Sequence, residues 1–241
     1  MSEPRLLAAA GRVVLVAGAA GGIGLAVTRL FQQAGAQVAG FDMRPAETDF
    51  FHQGEASQEE DVERAVQGAI KHFGRIDFVV NAVGITGAGA LAEQSSSDWQ
   101  KVLDVNLNSA FLLARATFPF LSKTNGSLVL TGSTNGFNGG GSLSGAAYAV
   151  AKAGVANLTR YLAKEWAPAG VRVNCVVPGP VDTPMLDRLD VPTQDALRQT
   201  IPLKRYTTAD EVAGAIAFLC SSHAASMTGA FMNLSGGLWL D

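Results

Sequence analysis

Cysteine and histidine are almost absent: two cysteines and three histidines in 241 residues. Cys175 and Cys220 cannot build a disulfide framework, and each sits in an apolar run, so both read as buried free thiols. His52, His72 and His223 have no ligand spacing among themselves or with the cysteines, so no metal site is expected. Charge is sparse too, at 16% of residues against about 25% in a typical soluble domain. The net charge is −3 and there is no basic block or Lys/Arg stripe, which argues against nucleic acid or an anionic membrane as a partner. No apolar run reaches the ~18 residues of a transmembrane helix. Residues 6–10 are apolar but too short for a signal-peptide core, so a cytoplasmic protein is expected.

What is plentiful is apolar surface. Hydrophobic residues make up 48% of the chain, enough for a large core and incompatible with disorder. They alternate between short runs and helical patterns. Residues 12–17, 37–41, 76–80, 127–131, 171–177 and 231–234 read as strands. Residues 23–34, 59–73, 147–166 and 208–221 read as helices, the last opened by a capping sequence at Thr208 and Glu211. Ser97 and Asp98 are expected to cap a further long helix running past Phe111. Repeated β–α–β units predict an α/β protein: one Rossmann-type domain over 1–241, a doubly wound parallel sheet with helices on both faces. Such folds place ligands at the carboxyl ends of the strands.

Gly18-Ala19-Ala20-Gly21-Gly22-Ile23-Gly24 follows the first strand and leads into a helix. Glycines let the backbone approach a pyrophosphate, and the helix N-terminus offers free N–H groups and a positive dipole end. Asp42 follows the second strand, where an acid hydrogen-bonds the adenosine ribose of NAD and repels the 2′-phosphate of NADP. Arg44, two residues on, suits a 2′-phosphate and keeps NADP in play.

Tyr148 and Lys152 are four apart at a helix start and share one face. A phenol titrates near 10, whereas a Lys cation ~4 Å from a phenolate gives about 4 kcal/mol at an effective dielectric of ~20, or roughly 3 pKa units. The pair predicts a Tyr drawn toward neutral pH for acid–base work. The same spacing occurs by chance on many helices, so the pair alone does not define a site. Gly132-Ser133 lacks the G-x-S-x-G elbow of a Ser–His–Asp hydrolase.

Together, the Gly18–Gly24 turn, Tyr148-Ala149-Val150-Ala151-Lys152 and the strand order resemble the classical short-chain dehydrogenase/reductases, over nearly the whole chain. Asn81-Ala82-Val83-Gly84 resembles the family's Asn-x-Ala-Gly segment with Val83 in place of Ala, and Asn106 its structural and catalytic Asn. Pro178-Gly179-Pro180-Val181-Asp182-Thr183 resembles the segment that holds the nicotinamide half, and Ser235-Gly236-Gly237 the small-Gly-Gly segment near the C-terminus. The resemblance implies Asn106, Ser133, Tyr148 and Lys152 as catalytic residues. It implies cofactor contacts from Gly18, Gly22, Ile23, Gly24, Asp42, Asn81, Ala82, Gly84, Tyr148, Lys152, Pro178, Gly179, Val181 and Thr183.

Fourteen residues separate Ser133 from Tyr148 where the family usually has 12, which reads as an insertion in the Gly-rich loop 137–147. Strict spacing selects Asn135, which has no hydroxyl. Ala17 and Glu55 depart from the family's usual Thr and Asp, and the longer Glu55 is a candidate adenine contact. Gly21 stands where NADPH-using members often carry a basic residue.

The resemblance implies hydride transfer between NAD and a small-molecule substrate. A substrate pocket is expected from loops 88–94 and 137–147 and a lid at about 185–206. Phe137, Leu143, Met185 and Leu186 make it mostly apolar, and Arg188 and Arg198 are the lid cations able to meet a carboxylate. The expected substrate is a mid-sized, mostly apolar secondary alcohol or ketone. The alternatives are an NADPH-dependent 3-oxoacyl carrier-protein reductase and a non-catalytic NAD-binding regulator. All four catalytic positions are filled, which disfavours the regulator, and the uncharged turn 167–170 offers no docking patch for an acidic carrier. The family also packs the helices at 99–120 and 147–162 against other subunits, which implies a homotetramer.

Overall fold

A computed structural model describes residues 9–240. The N-terminal stretch read against a signal peptide lies outside them up to residue 8, as does the last residue of the expected domain.

β1 (Val13–Ala17), β2 (Gln37–Asp42), β3 (Phe50–Gln53), β4 (Phe78–Asn81), β5 (Ser127–Thr131), β6 (Arg172–Pro178) and β9 (Phe231–Leu234) form a parallel sheet. Their order is β3-β2-β1-β4-β5-β6-β9. The direction of winding reverses between β1 and β4, and a crevice opens there at the strand ends. β7 (Val181–Asp182) and β8 (Thr207–Thr208) pair separately.

Helices α1 (Gly22–Gln33) and α8 (Ala209–Cys220) cover one face of the sheet. Helices α2 (Glu59–Phe73), α4 (Ser109–Thr124) and α6 (Ala146–Trp166) cover the other. This double cover explains the unbroken apolar runs. Val14 and Val16 pack toward α1 and α8, while Leu15 points to the opposite core. Burial of each such side chain contributes about 1.5–3 kcal/mol. Both cysteines are free and buried.

Three features depart from the sequence reading. β3 was not expected: it is an edge strand of three half-buried residues and the exposed Gln53, without alternation. The long helix past Phe111 is broken into α3 (Ser96–Leu103), a π-helical turn (Asp104–Asn108) and α4. Its cap is Ser95, which accepts the Asp98 N–H, rather than Ser97 or Asp98. Short α5 (Asn135–Asn138) and lid helix α7 (Val191–Thr200) had no strong apolar period to announce them.

At the opposite end of the sheet Asp77 is buried and accepts from Arg12, Arg75 and the Val13 N–H. Burial alone would raise its carboxyl. The arginine hydrogen bonds and the backbone N–H outweigh that and hold it below the ordinary range. This cluster ties the start of β1 to the start of β4, far from the crevice.

Candidate active site

A cleft of about 580 Å³ opens at the carboxyl ends of β1, β4, β5 and β6. At its floor the first turn of α1 faces the cleft. N-cap Gly21 offers no side chain to the first N–H groups, and the turn carries no acid. Those N–H groups and the dipole end therefore remain available to an anion. The turn is possible only because Gly24 lacks a side chain: a Cβ there would stand 2.0 Å from the Gly18 carbonyl oxygen. The Asp42 carboxylate accepts from Ala20 N at 3.0 Å and Arg44 N at 2.9 Å, fixing the end of β2 to this turn. The Arg44 guanidinium donates to the Ala20 carbonyl and lines the cleft. Free donors with an acid beside them fit the pyrophosphate and ribose of a dinucleotide.

Opposite lies the second half. Ser133 follows β5 and Tyr148 lies in the first turn of α6. Both line the cleft, and the Ser133 hydroxyl accepts the Asn135 N–H at 3.2 Å. Between Ser133 and Tyr148 the chain forms α5 and the bend after it, where Gly139 and Gly140 take positive φ. Asn135 points its amide to the Ser144 hydroxyl at 2.6 Å, bracing the loop. Lys152, one turn after Tyr148 and 3% exposed, donates to the Thr131 carbonyl at 2.8 Å.

Proton affinities at the site depart from the expectation for the Tyr–Lys pair. Burial pushes the Tyr148 phenol up, and the opposing pulls come from Ser133 and the charge of Arg188. Lys152 sits over the Tyr148 ring, 5.6 Å from its centre, with its nitrogen turned to Thr131. Burial brings Lys152 itself down to about 8. Beneath it the Cys175 thiol is pushed up to about 11 by burial and is inert.

Asn106 is aimed inward by the π-helical turn, a device often found at functional positions. Its amide donates to the Val102 and Ile85 carbonyls, and its oxygen accepts the Ile85 N–H. A side chain at Gly84 would stand 3.0 Å from that oxygen and 3.6 Å from the Lys152 nitrogen, so glycine keeps the two groups on one small space.

Of the residues expected at the site, Gly22, Ile23, Ala82, Gly84, Ser133, Tyr148, Lys152, Pro178, Gly179, Val181 and Thr183 line the cleft. Gly18, Gly24, Asp42, Asn81 and Asn106 stand behind its wall and shape it. Glu55 takes the Ser57 hydroxyl and lies outside the lining.

Leu143, Met185 and Leu186 line the substrate end as expected, but Phe137 does not. The turn of α5 sends its ring onto Trp239, stacked at 4.2 Å, and against Phe231. Loop 88–94 is a second correction: it lies outside the cleft, where Gly89 N–H bonds the Ser142 carbonyl and props the inner loop. Asn138, in the expected loop 137–147, lines the cleft, and Leu238 and Thr86 join it from positions the sequence reading did not name.

The protein family described as enoyl-(acyl carrier protein) reductase matches residues 18–239. A 3-oxoacyl-[acyl-carrier-protein] reductase of Thermotoga maritima is 35% identical, covering 95% of this chain and 98% of its own. The corresponding reductase of Escherichia coli is 31% identical with the same coverage. Among solved structures, a short-chain dehydrogenase/reductase of Brucella melitensis, described as a glucose/ribitol dehydrogenase, superposes with a TM-score of 0.91 at 33% identity. It covers 98% of this chain and 99% of that one. The aldohexose dehydrogenase of Thermoplasma acidophilum gives a TM-score of 0.88 at 27% identity, covering 94% and 93%. This chain belongs to the short-chain dehydrogenase/reductase family, oxidoreductases that move a hydride between a nicotinamide cofactor and a small-molecule substrate.

Proposed function

We propose that this protein is an NAD-dependent dehydrogenase and ketoreductase of mid-sized, mostly apolar secondary alcohols and ketones, with Tyr148 as its general acid–base. The observation that carries the reading is the convergence of Ser133, Tyr148 and Lys152 on one cleft that continues to the Asp42-anchored glycine turn. When bound, the nicotinamide supplies or accepts the hydride. Tyr148 gives its hydroxyl proton to the carbonyl oxygen in reduction and takes the carbinol proton in oxidation. Ser133 holds the same oxygen and fixes its angle. Lys152 holds the nicotinamide ribose and, with Asn106 across the Gly84 space, passes the proton onward. Gly18, Gly22, Ile23 and Gly24 hold the pyrophosphate, and Asp42 the adenosine ribose. Asn81, Ala82 and Gly84 wall the ribose side, and Pro178, Gly179, Val181 and Thr183 hold the nicotinamide half.

Asp42 supports NAD over NADP. A second reading, an NADPH-dependent 3-oxoacyl carrier-protein reductase, is favoured by the names of the relatives and by Arg44 in the cleft wall. Initial rates with NAD and NADP in parallel separate the two: NADP-only turnover selects the second.

We also place the protein in the cytoplasm as a homotetramer. No helix among the described residues is long and apolar enough to cross a membrane. Phe111 of α4 and Val150 and Tyr161 of α6 leave large apolar surface exposed, which supports subunit packing on those helices. Size-exclusion chromatography with light scattering should give about 100 kDa, four chains of 25.0 kDa.

A further inference from the structure

Three cations line the cleft, and no Asp or Glu is among the lining residues. Arg44 lies at the dinucleotide end on the Ala20 carbonyl, and Lys152 lies beneath Tyr148 on the Thr131 carbonyl. Arg188 is the third and stands at the substrate end. It extends from the lid to the opposite wall, where one N–H meets the Leu143 carbonyl.

The neighbouring lid arginines are already neutralised. Arg198 pairs with Asp195 at 2.8 Å and covers the Tyr206 ring, and Arg205 pairs with Glu211 at 2.7 Å. Among the described residues Arg188 has no carboxylate partner. A guanidinium has five N–H donors in a planar fork, and the Leu143 carbonyl occupies one of them. Its charge is also felt at the Tyr148 hydroxyl. Around it Leu143, Met185, Leu186 and Leu189 give an apolar wall. Arg188 is itself exposed at the mouth of the cleft, so water satisfies it when the cleft is empty, and a carboxylate gains a charge-assisted contact there that a neutral ketone does not.

We propose that Arg188 anchors the substrate, and that the substrate is an oxo- or hydroxy-carboxylate whose carboxylate meets Arg188 while its carbonyl or carbinol carbon faces Tyr148. This rests on the acid–base reading of Tyr148 and narrows its substrate class from apolar ketones to acids with an apolar chain. Arg188 forms and breaks no bond. In reduction the carbonyl carbon gains the hydride of the reduced nicotinamide and its oxygen gains the Tyr148 proton, leaving a hydroxy acid and the oxidised nicotinamide.

The test is calorimetric titration of 3-oxohexanoate and 3-oxohexanamide into the full-length protein with oxidised NAD present, which cannot reduce either ketone. The two probes share size and shape and differ in charge. Wild type should bind the acid at least about tenfold tighter than the amide, as charge-assisted bidentate recognition gives. In Arg188→Gln that ratio should fall to within about twofold, and Arg188→Lys should give an intermediate ratio. Unchanged melting curves confirm that both variants fold. A wild-type ratio near one, binding of neither probe, or an unchanged ratio in Arg188→Gln would overturn the proposal.

A parallel assay with reduced NAD and reduced NADP separates this inference from its foundation. Carboxylate preference in binding without any turnover sinks the Tyr148 reading and leaves Arg188 standing. Turnover of acid and amide with equal kcat/KM sinks the Arg188 assignment alone.

Discussion

The Lys152 nitrogen lies 5.6 Å from the centre of the Tyr148 ring and 2.8 Å from the Thr131 carbonyl oxygen. The lysine is therefore held by the end of β5 from below while its charge remains over the phenol. Burial at this point opposes the ammonium, which is why Lys152 titrates near 8.

That depressed proton affinity has a thermodynamic signature. The unfolded chain takes up the Lys152 proton near 10.5, whereas the folded protein waits until about 8. Between those values the unfolded state binds more protons, so wild-type stability falls as pH drops, and the loss is complete below about 8. Lys152→Met carries no such proton. Urea unfolding of both proteins should show the variant gaining about 2–3 kcal/mol relative to wild type between pH 10 and pH 7. A difference independent of pH would show that Lys152 titrates at its ordinary value.

The two hydrogen bonds that Asp42 accepts from Ala20 and Arg44 fix the end of β2 to the glycine turn. Under the proposed NAD reading, Asp42→Ala removes the ribose acceptor and the repulsion of a 2′-phosphate in one step. Its kcat/KM with NAD should fall by about 10–100-fold, the loss of a charge-assisted hydrogen bond, while kcat/KM with NADP rises. An NAD preference that survives this substitution would move the specificity elsewhere in the cleft.

Asp77 makes a separate prediction about stability. Its carboxyl is buried while Arg12 and Arg75 are half exposed, so removing it strands no fully buried cation. Asp77→Ala should cost about 2–3 kcal/mol in denaturant unfolding, less than a fully buried pair. Its depressed pKa means that the contribution is present above the unfolded value near 4 and disappears as pH falls through the lower folded value. Wild type and variant should thus converge in stability below about pH 4.

Much of this was legible in sequence, for physical reasons. β1 is buried on both faces and reads as an unbroken apolar run, and β5 and β6 are mostly apolar for the same reason, with Asn174 the buried polar exception within β6. Ser133 could be chosen by resemblance because it follows β5, whereas strict spacing selects Asn135 without a hydroxyl and Ser142 and Ser144 lie close to the start of α6. The π-helical turn at Asp104–Asn108 kept an apolar period like that of the helices beside it, so nothing signalled that it turns Asn106 inward. Phe137 looked like a pocket residue because it sits in the right loop, but its direction depends on α5 and on Trp239, 102 residues away in the chain. Arg188 and Arg198 were equal candidates in sequence, and the structure separates them: Arg188 lines the cleft, whereas Arg198 lies outside the lining and pairs with Asp195.

The central claim is that Tyr148 moves the proton, and the most direct measurement is the initial rate of reduced-NAD formation by wild type and Tyr148→Phe. The substrates are aliphatic, aryl and cyclic secondary alcohols together with 3-hydroxy acids. Loss of the phenolic hydroxyl removes the general acid–base and leaves the ring in place. Turnover should drop by at least about 10²–10⁴-fold, with NAD affinity by calorimetry close to that of wild type. Near-wild-type turnover in Tyr148→Phe would contradict the assignment.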